Sequence, residues 1–391
     1  MYLFLTLSFT AYLLLTSILR TYQLNALRKK YAHLSANPYT MDLATAHGIL
    51  LSILTVNFSF SYAISGQIAL IKSYSIASGT KLLVATRRLS TTRGVGKRAE
   101  DTAIIFAEIL TSGLDSERGL KTLSKLNWIH RQYGARITNE EMIHTMSLNV
   151  LGPLKWIDRF EWRPLLEVER VAVFLYWKEV AMRMGMVDVP ETLDELGKWT
   201  AKYEKTEMAF AESNVKCLEA TMDLYLRPLP RWMKGFGGQI VAALLEERVR
   251  AALGMEDPPK WVIGLVEGLL DARAWFVRVL MLPRFSPISV GGVMDETTGR
   301  IRRERWGFEP WYVAESGWSR FVSKWLGLNL WMGRPLPGAE YNSEGYLPEE
   351  LGPKEYREKS KADVLDHAEK MADYARQGGG AVLGCPFAFG R

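Results

Sequence analysis

Apolar residues three and four apart recur along most of the chain from Lys97 to Met281, and no stretch gives a convincing alternation of apolar and polar residues. A helix repeats its faces near every 3.6 residues and a strand every two, so this pattern predicts a mostly α fold. The densest part is Lys97 to Leu165, which holds two of the five histidines. Asp115 or Ser116 can cap a helix that runs to Tyr133, with Leu120, Leu123, Leu126 and Ile129 at helical spacing. Thr138 with Glu141 three residues on is a capping box for the next helix. Val168–Met184 is apolar through its centre, as a helix buried on all sides would be. Leu193–Phe210, Asn214–Leu226, Ile240–Leu253 and Trp261–Met281 continue the helical series. Lys81–Arg98 is basic and rich in Gly, Ser and Thr, which reads as a loop. After Pro287 the chain turns to Gly, Pro, Trp and charge, with a helix expected around Trp318–Leu326. From Gly333 onward an extended tail is expected, with one charged helix near Lys354–Arg376 and a loose Gly-rich end.

The N-terminal part is read as an anchor. Met1–Leu19 carries no charged side chain, Arg20 ends it, and Arg28, Lys29 and Lys30 follow. About 20 apolar residues span a bilayer as a helix. A cleaved signal would show a charged start and a small-residue cleavage site, and neither is clear here. The basic cluster after the run places the bulk of the protein in the cytosol. A second uncharged stretch, Gly48–Ile71, contains Asn57, Gln67 and several serines, so a buried or membrane-lying helix pair is favoured over a second span. The expected organisation is an anchor over 1–19, a basic linker over 20–40, one large helical domain over 41–330 and a tail over 331–391.

An apolar share of 48% in 391 residues is ample for a core and excludes a disordered chain. The net charge of +6 suits an anionic membrane surface, whereas nucleic-acid binding has no supporting fold signature. Cys217 and Cys385 make no disulfide framework and suit a reducing compartment.

The candidate chemistry lies mostly between Arg98 and His144. His130 follows Leu123 and Leu126 by seven and four residues, so its ring belongs to their apolar face. Such a histidine is either a packed core residue or, as a neutral imidazole, an axial ligand to haem iron. Arg98 and Thr102 are one helical turn apart with Asp101 beside them. A cation and a hydroxyl aimed at one point could polarise bound dioxygen or hold a propionate. They could equally be a charged helix start. Glu141 and His144 form an E-x-x-H element, half of a carboxylate-bridged di-iron site, but the chain has no second copy. Cys385 sits in GCPFAFGR, where the order of residues is wrong for a thiolate-ligated haem. His33, His47 and His367 receive no chemistry, and GRIRRERW (299–306) is expected to be a solvated or membrane-surface face.

Several longer strings make a resemblance specific. They are R-x-x-D-T (Arg98 to Thr102), L-x-K-L-N-W-I-H-x-x-Y, I-T-N-E-E-M-x-x-T-x-S-L and W-I-x-R-F-E-W-R-P-L. FLYWK, the W-x-x-x-Y-E of Trp199 to Glu204, PWYV, and PLPG…GY…E-x-G-P follow. With these the chain resembles the fungal ER-bound oxygenases of the mpaB type, relatives of the bacterial rubber oxygenases (latex-clearing proteins). The resemblance implies an all-α, globin-reminiscent domain with one haem b, whose iron takes His130 as axial ligand. It implies Arg98 and Thr102 on the distal side, with Asp101 where the rubber oxygenases have a lysine. No counterpart to their upstream glutamate base appears near Lys81. The activity implied is dioxygen activation that oxidises or cleaves a C=C bond in a lipophilic, isoprenoid-bearing secondary metabolite, at the endoplasmic reticulum membrane with the domain facing the cytosol. Desaturation, epoxidation or cyclisation on the same scaffold is an alternative. So is a non-catalytic, membrane-tethered helical protein in which His130 is only packed.

Overall fold

The computed structural model describes residues 1–86, 92–317, 321 and 335–378. These are mostly helical, and the one sheet among them is a two-residue antiparallel pair, Val293–Met294 (β1) with Ile301–Arg302 (β2). The fold is all-α. The first helix, α1 (Tyr2–Lys30), is longer than the expected anchor and runs through the basic residues to Lys30. It is long and apolar enough to cross a membrane, and only 6% of its apolar window is buried.

Gly48–Ile71 forms the buried helix pair expected from its polar content. α2 (Leu43–Ser52) passes through a π turn (Ile53–Asn57) into α3 (Ser59–Ser73), with a bend of 104° between the two arms. Ile49, Leu50, Ile53 and Phe58 around the bend are at most 1% exposed. Asn57 donates to Ser52 Oγ at 3.0 Å, which satisfies a polar group that lipid could not.

The core forms where α2 packs on α8 (Glu167–Arg183), α3 on α7 (Asn139–Phe160), and α5 (Thr92–Ser112) on α6 (Glu117–Arg131). α8 is buried on nearly every side, with Val171, Ala172, Val173, Phe174 and Tyr176 fully covered. Ser116 caps α6 by accepting from Gly119 N–H, and the Thr138–Glu141 capping box opens α7 as expected. α9 (Leu193–Glu207), α10 (Glu212–Tyr225) and α13 (Lys260–Leu280) fall where periodicity places them.

Three expectations need correction. The described residues of Lys81–Arg98 are mostly helical and not a loop. α4 (Ala77–Ala85) covers its start, and α5 already begins at Thr92. Weak helix formers are carried there by tertiary packing on α10, where Thr80 Oγ1 donates to Asn214 Oδ1 at 2.6 Å. Ile240–Leu253 is not one helix: α11 (Arg231–Ala243) ends and α12 (Glu247–Ala252) restarts after Glu246. GRIRRERW is no solvated face either, because Arg300 pairs with Glu350, Arg302 with Asp295 and Arg303 with the buried Glu100.

The described part of the expected tail packs onto the core. Its helix α14 (Lys361–Arg376) lies against α6, with Ala368 and Met371 in the main core. Lys125 donates to Ser360 Oγ at 2.6 Å, and Trp128 Nε1 to Asp363 Oδ2 at 3.1 Å. The helix expected around Trp318–Leu326 lies, apart from Phe321, outside the described residues, as do the Gly-rich end and Cys385.

Three buried carboxylates on α5 hold Arg303, residues 307–309, Tyr312 and Tyr346. Glu100 Oε1 accepts from the backbone N–H groups of Gly307, Phe308 and Glu309 at 3.0, 2.5 and 3.1 Å, while Oε2 takes Arg303. Asp101 accepts from Lys97 Nζ at 2.6 Å and from Tyr312 OH at 3.0 Å. Glu108 accepts from Arg118 at 2.8 and 2.5 Å and from Tyr346 OH at 2.6 Å. A buried charge is tolerated only with such a full set of partners. Glu100→Ala strands Arg303 and three N–H groups, so it should lower stability by ~3–5 kcal/mol in denaturant melts of the full chain. A loss under about 1 kcal/mol would show that this contact does not hold the segment.

Candidate active site

α5 and α6 bring the expected residues together in one region. His130 is the penultimate residue of α6, and its Nδ1 is sealed from solvent with no hydrogen-bond partner among the described residues. Burial pushes its pKa down to about 4, and the nearby Arg98 charge acts in the same direction. The imidazole is therefore neutral at pH 7. A neutral ring with an unpartnered buried nitrogen is the form in which histidine ligates a metal or a haem iron.

Arg98 is half-buried on α5 and makes no ion pair with any described residue. Its field reaches His130 on α6, Asp101 on its own helix and Tyr74 after α3. Tyr74 is fully buried, shares a hydrogen bond of 3.1 Å with Thr221 on α10, and is pushed up to about 12 by burial. Arg98 thus sits among α5, α6, α10 and the end of α3 with its donors uncommitted to described carboxylates. Thr102 lies one turn on, and its hydroxyl donates back to the Arg98 carbonyl at 2.8 Å. That spends the hydroxyl proton within the helix and leaves the oxygen as an acceptor.

Asp101 is placed differently. Both of its oxygens are taken, by Lys97 and by Tyr312, and the carboxylate belongs to the seam between α5 and the C-terminal segment. Burial raises its pKa, against the opposing pull of Lys97. Lys97 also donates to the Gly352 carbonyl at 3.0 Å, and a Cβ on Gly352 would meet Ile129 Cδ1 at 2.9 Å. This seam therefore reaches the residue next to His130.

Glu141 and His144 go separate ways. Glu141 Oε2 accepts the Thr138 N–H of the capping box at 2.9 Å, while His144 pairs through Nε2 with Glu204 on α9 at 3.3 Å. No group of three His, Cys, Asp or Glu side chains among the described residues could hold a metal ion. Glu204 also meets Lys72 at 2.9 Å. Burial would raise its pKa, but His144 and Lys72 together bring it below the usual range. Glu204 and Lys72 line a cavity of about 390 Å³ between α3, α7, α9 and residues 244–249, and neither His130 nor Arg98 is among its lining residues. The sequence reading missed this polar cluster. Its signal was present in the W-x-x-x-Y-E string, since Tyr203 packs on His144 at 5.1 Å and Glu204 bonds to it. His367, given no chemistry, is buried on α14 and pushed down to about 4, mainly by burial.

The sign of the His130 shift gives a test. Between about pH 6.5 and 4 the unfolded chain binds a proton at this residue that the folded chain does not, so its contribution to stability falls as pH drops through that window. In cofactor-free, histidine-labelled protein the His130 ring resonances should stay those of a neutral imidazole down to about pH 4. A midpoint near 6.5 would contradict the sealed environment.

Comparison with known proteins places the chain in a family. The family described as "ER-bound oxygenase mpaB/B'/Rubber oxygenase, catalytic domain" matches residues 74–279, just over half of the chain, a span that includes Arg98, Thr102 and His130. The "ER-bound oxygenase mpaB'" of Penicillium brevicompactum is 25% identical over 383 residues, covering 92% of this chain and 90% of that protein. The "ER-bound oxygenase mpaB" of the same species is 26% identical over 301 residues, covering 72% and 70%. That of Penicillium roqueforti (strain FM164) is 27% identical over 258 residues, covering 62% and 87%. The helices that carry Arg98, Thr102 and His130 therefore lie within a shared catalytic domain, and the chain belongs to the family of mpaB-type ER-bound oxygenases and rubber oxygenases, as an oxidoreductase of the oxygenase class.

Proposed function

We propose that this oxygenase is haem-dependent, binds one haem b through His130, and oxidises or cleaves a C=C bond in a lipophilic, isoprenoid-bearing secondary metabolite. The observation that carries the reading is the buried Nδ1 of His130, which has no partner among the described residues, on an imidazole held neutral within the field of Arg98, which pairs with no described carboxylate. A buried polar atom is normally paired, and an orphan at such a position calls for a ligand. When bound, the haem would supply the redox chemistry with dioxygen.

The chain's own residues have separate tasks in this reading. His130 offers a neutral nitrogen at the end of α6. Arg98 holds a carboxylate of the cofactor or stabilises negative charge that develops on an oxygen of the reacting centre. Thr102 offers an acceptor oxygen, because its proton is spent on the Arg98 carbonyl. Asp101 is a positioning residue. Through Lys97 and Tyr312 it fixes the rotation of α5, and with it the direction of Arg98.

α1 serves as the anchor. Its apolar part ends at Arg20 and is followed by Arg28, Lys29 and Lys30, which favours a cytosolic position for the domain. The relatives' names describe them as ER-bound, which supports the same membrane here. A substrate that partitions into the bilayer is then presented at the surface where the enzyme sits.

Detergent-solubilised full-length protein from haem-replete cells should show a strong Soret band. His130→Ala should lose that band and keep its helical circular dichroism. Arg98→Ala should retain the band and slow dioxygen consumption with an isoprenoid-bearing substrate roughly a hundredfold. A colourless wild type would overturn the haem reading, and unchanged turnover in Arg98→Ala would remove its distal role.

A further inference from the structure

An apolar surface that the proposed function leaves unused lies on α13 and its neighbour α11. On α13, Trp261, Leu265, Leu269, Ala272 and Phe276 follow one another at helical spacing and are all exposed. Leu269 is 63% exposed and Phe276 49%. No charge falls within this stripe. Lys260, Glu267, Asp271 and Arg278 lie along one flank, while Val262 and Val266 face inward. Phe236 of α11 stacks on Trp261, with ring centres 5.8 Å apart, and Trp232 beyond it is 82% exposed. Single exposed apolar residues are ordinary, but a continuous apolar face over two helices marks an interaction surface.

The contacts of α13 with α1 say what covers that face. Helix C-termini leave their last carbonyls unpaired within the helix. Here α1 supplies the missing donors: Tyr12 OH donates to Leu280 O at 2.7 Å, and Arg20 to Val277 O at 2.5 Å and Met281 O at 2.9 Å. Gln23 adds a bond to Arg284 O at 2.8 Å. Satisfying backbone groups internally is what a lipid environment demands, because no water is available to do it. Depth follows from the same contacts. If Arg20 marks the edge of the bilayer, Tyr12 lies eight residues deeper, about 12 Å at 1.5 Å per residue. Leu280, bonded to Tyr12 and flanked by the Arg20 contacts at Val277 and Met281, then stands between those two levels, below the bilayer edge, with the exposed Met281 and Leu282 beside it. At the opposite end of α13, Lys260 and Trp261, with Arg231 and Trp232 at the start of α11, form the basic and aromatic mixture found at a membrane interface.

We propose that α11 and α13 form a second membrane-embedded element, seated in the same leaflet that α1 enters, so the catalytic domain rests in the bilayer surface and is not held off it on a tether. The inference rests on the reading of α1 as a membrane anchor. Asp271 and Arg273 dock the element on the domain through Arg159 and Glu161, at 2.5 and 3.1 Å, so it moves with the domain as one body.

The test uses the full chain with Cys217→Ala and Cys385→Ser, carrying one new cysteine at a time, labelled with bimane. The protein is reconstituted in phosphatidylcholine–phosphatidylserine vesicles, with or without a nitroxide on the lipid acyl chain. Leu7→Cys reports on the anchor, Leu269→Cys and Phe276→Cys on α13, and Glu369→Cys on α14 is the solvent control. Nitroxide lipid should quench the labels at 269 and 276 at least half as strongly as at 7, and leave 369 unquenched. If 7 is quenched while 269 and 276 behave like 369, the anchor stands and the second element is overturned. If 7 is not quenched, the anchor reading fails and this inference fails with it.

Discussion

The structure depends on three carboxylates that α5 carries into the interior. Glu100, Asp101 and Glu108 are each at most 2% exposed, and each is paired to a different part of the chain after residue 300 or to α6. Their burial costs solvation that only a complete set of donors offsets. The donors arrive only if the C-terminal segment is in place. A region whose Gly, Pro and charge content looks like a tail is therefore joined to the helix that carries Arg98 and Thr102.

The arrangement links packing to chemistry in short steps. Lys97 joins Asp101 to the Gly352 carbonyl, and Gly352 lies tight against Ile129. Ile129 precedes His130, so α5, α6 and the late segment are held at one seam beside the site. Arg98 lies one turn before Asp101 and Thr102 directly after it, so the seam that holds Asp101 also orients them. In the proposed mechanism Arg98 acts on a charge and Asp101 holds Arg98 in place. In that proposal Arg98 and Thr102 act at the site and Asp101 supports them.

The helices that position the site were largely legible in the sequence. α6 and α7 carry clear caps and apolar faces and α8 an apolar centre, and local signals of that kind need no tertiary information. α4 and the start of α5 were not legible, because their Gly, Ser and Thr residues are helical only through packing on α10 and the C-terminal segment. The partners of GRIRRERW were hidden for a related reason. Nothing local in those arginines points to Glu350, which pairs with Arg300, or to the buried Glu100, which pairs with Arg303. The roles of Arg98, Thr102 and His130 came from the resemblance, whereas the pairing of His144 with Glu204 needed the fold to bring α7 and α9 together.

The central claim is that His130 supplies a ligand and is not merely packed. Replacing it by glycine opens a space that free imidazole can enter. Full-length His130→Gly, titrated with imidazole in the presence of haem, should recover the absorption spectrum and haem occupancy of the wild type in a saturable manner. Full haem occupancy and an unchanged spectrum in His130→Gly without imidazole would contradict the account, because the iron would then be held by another group.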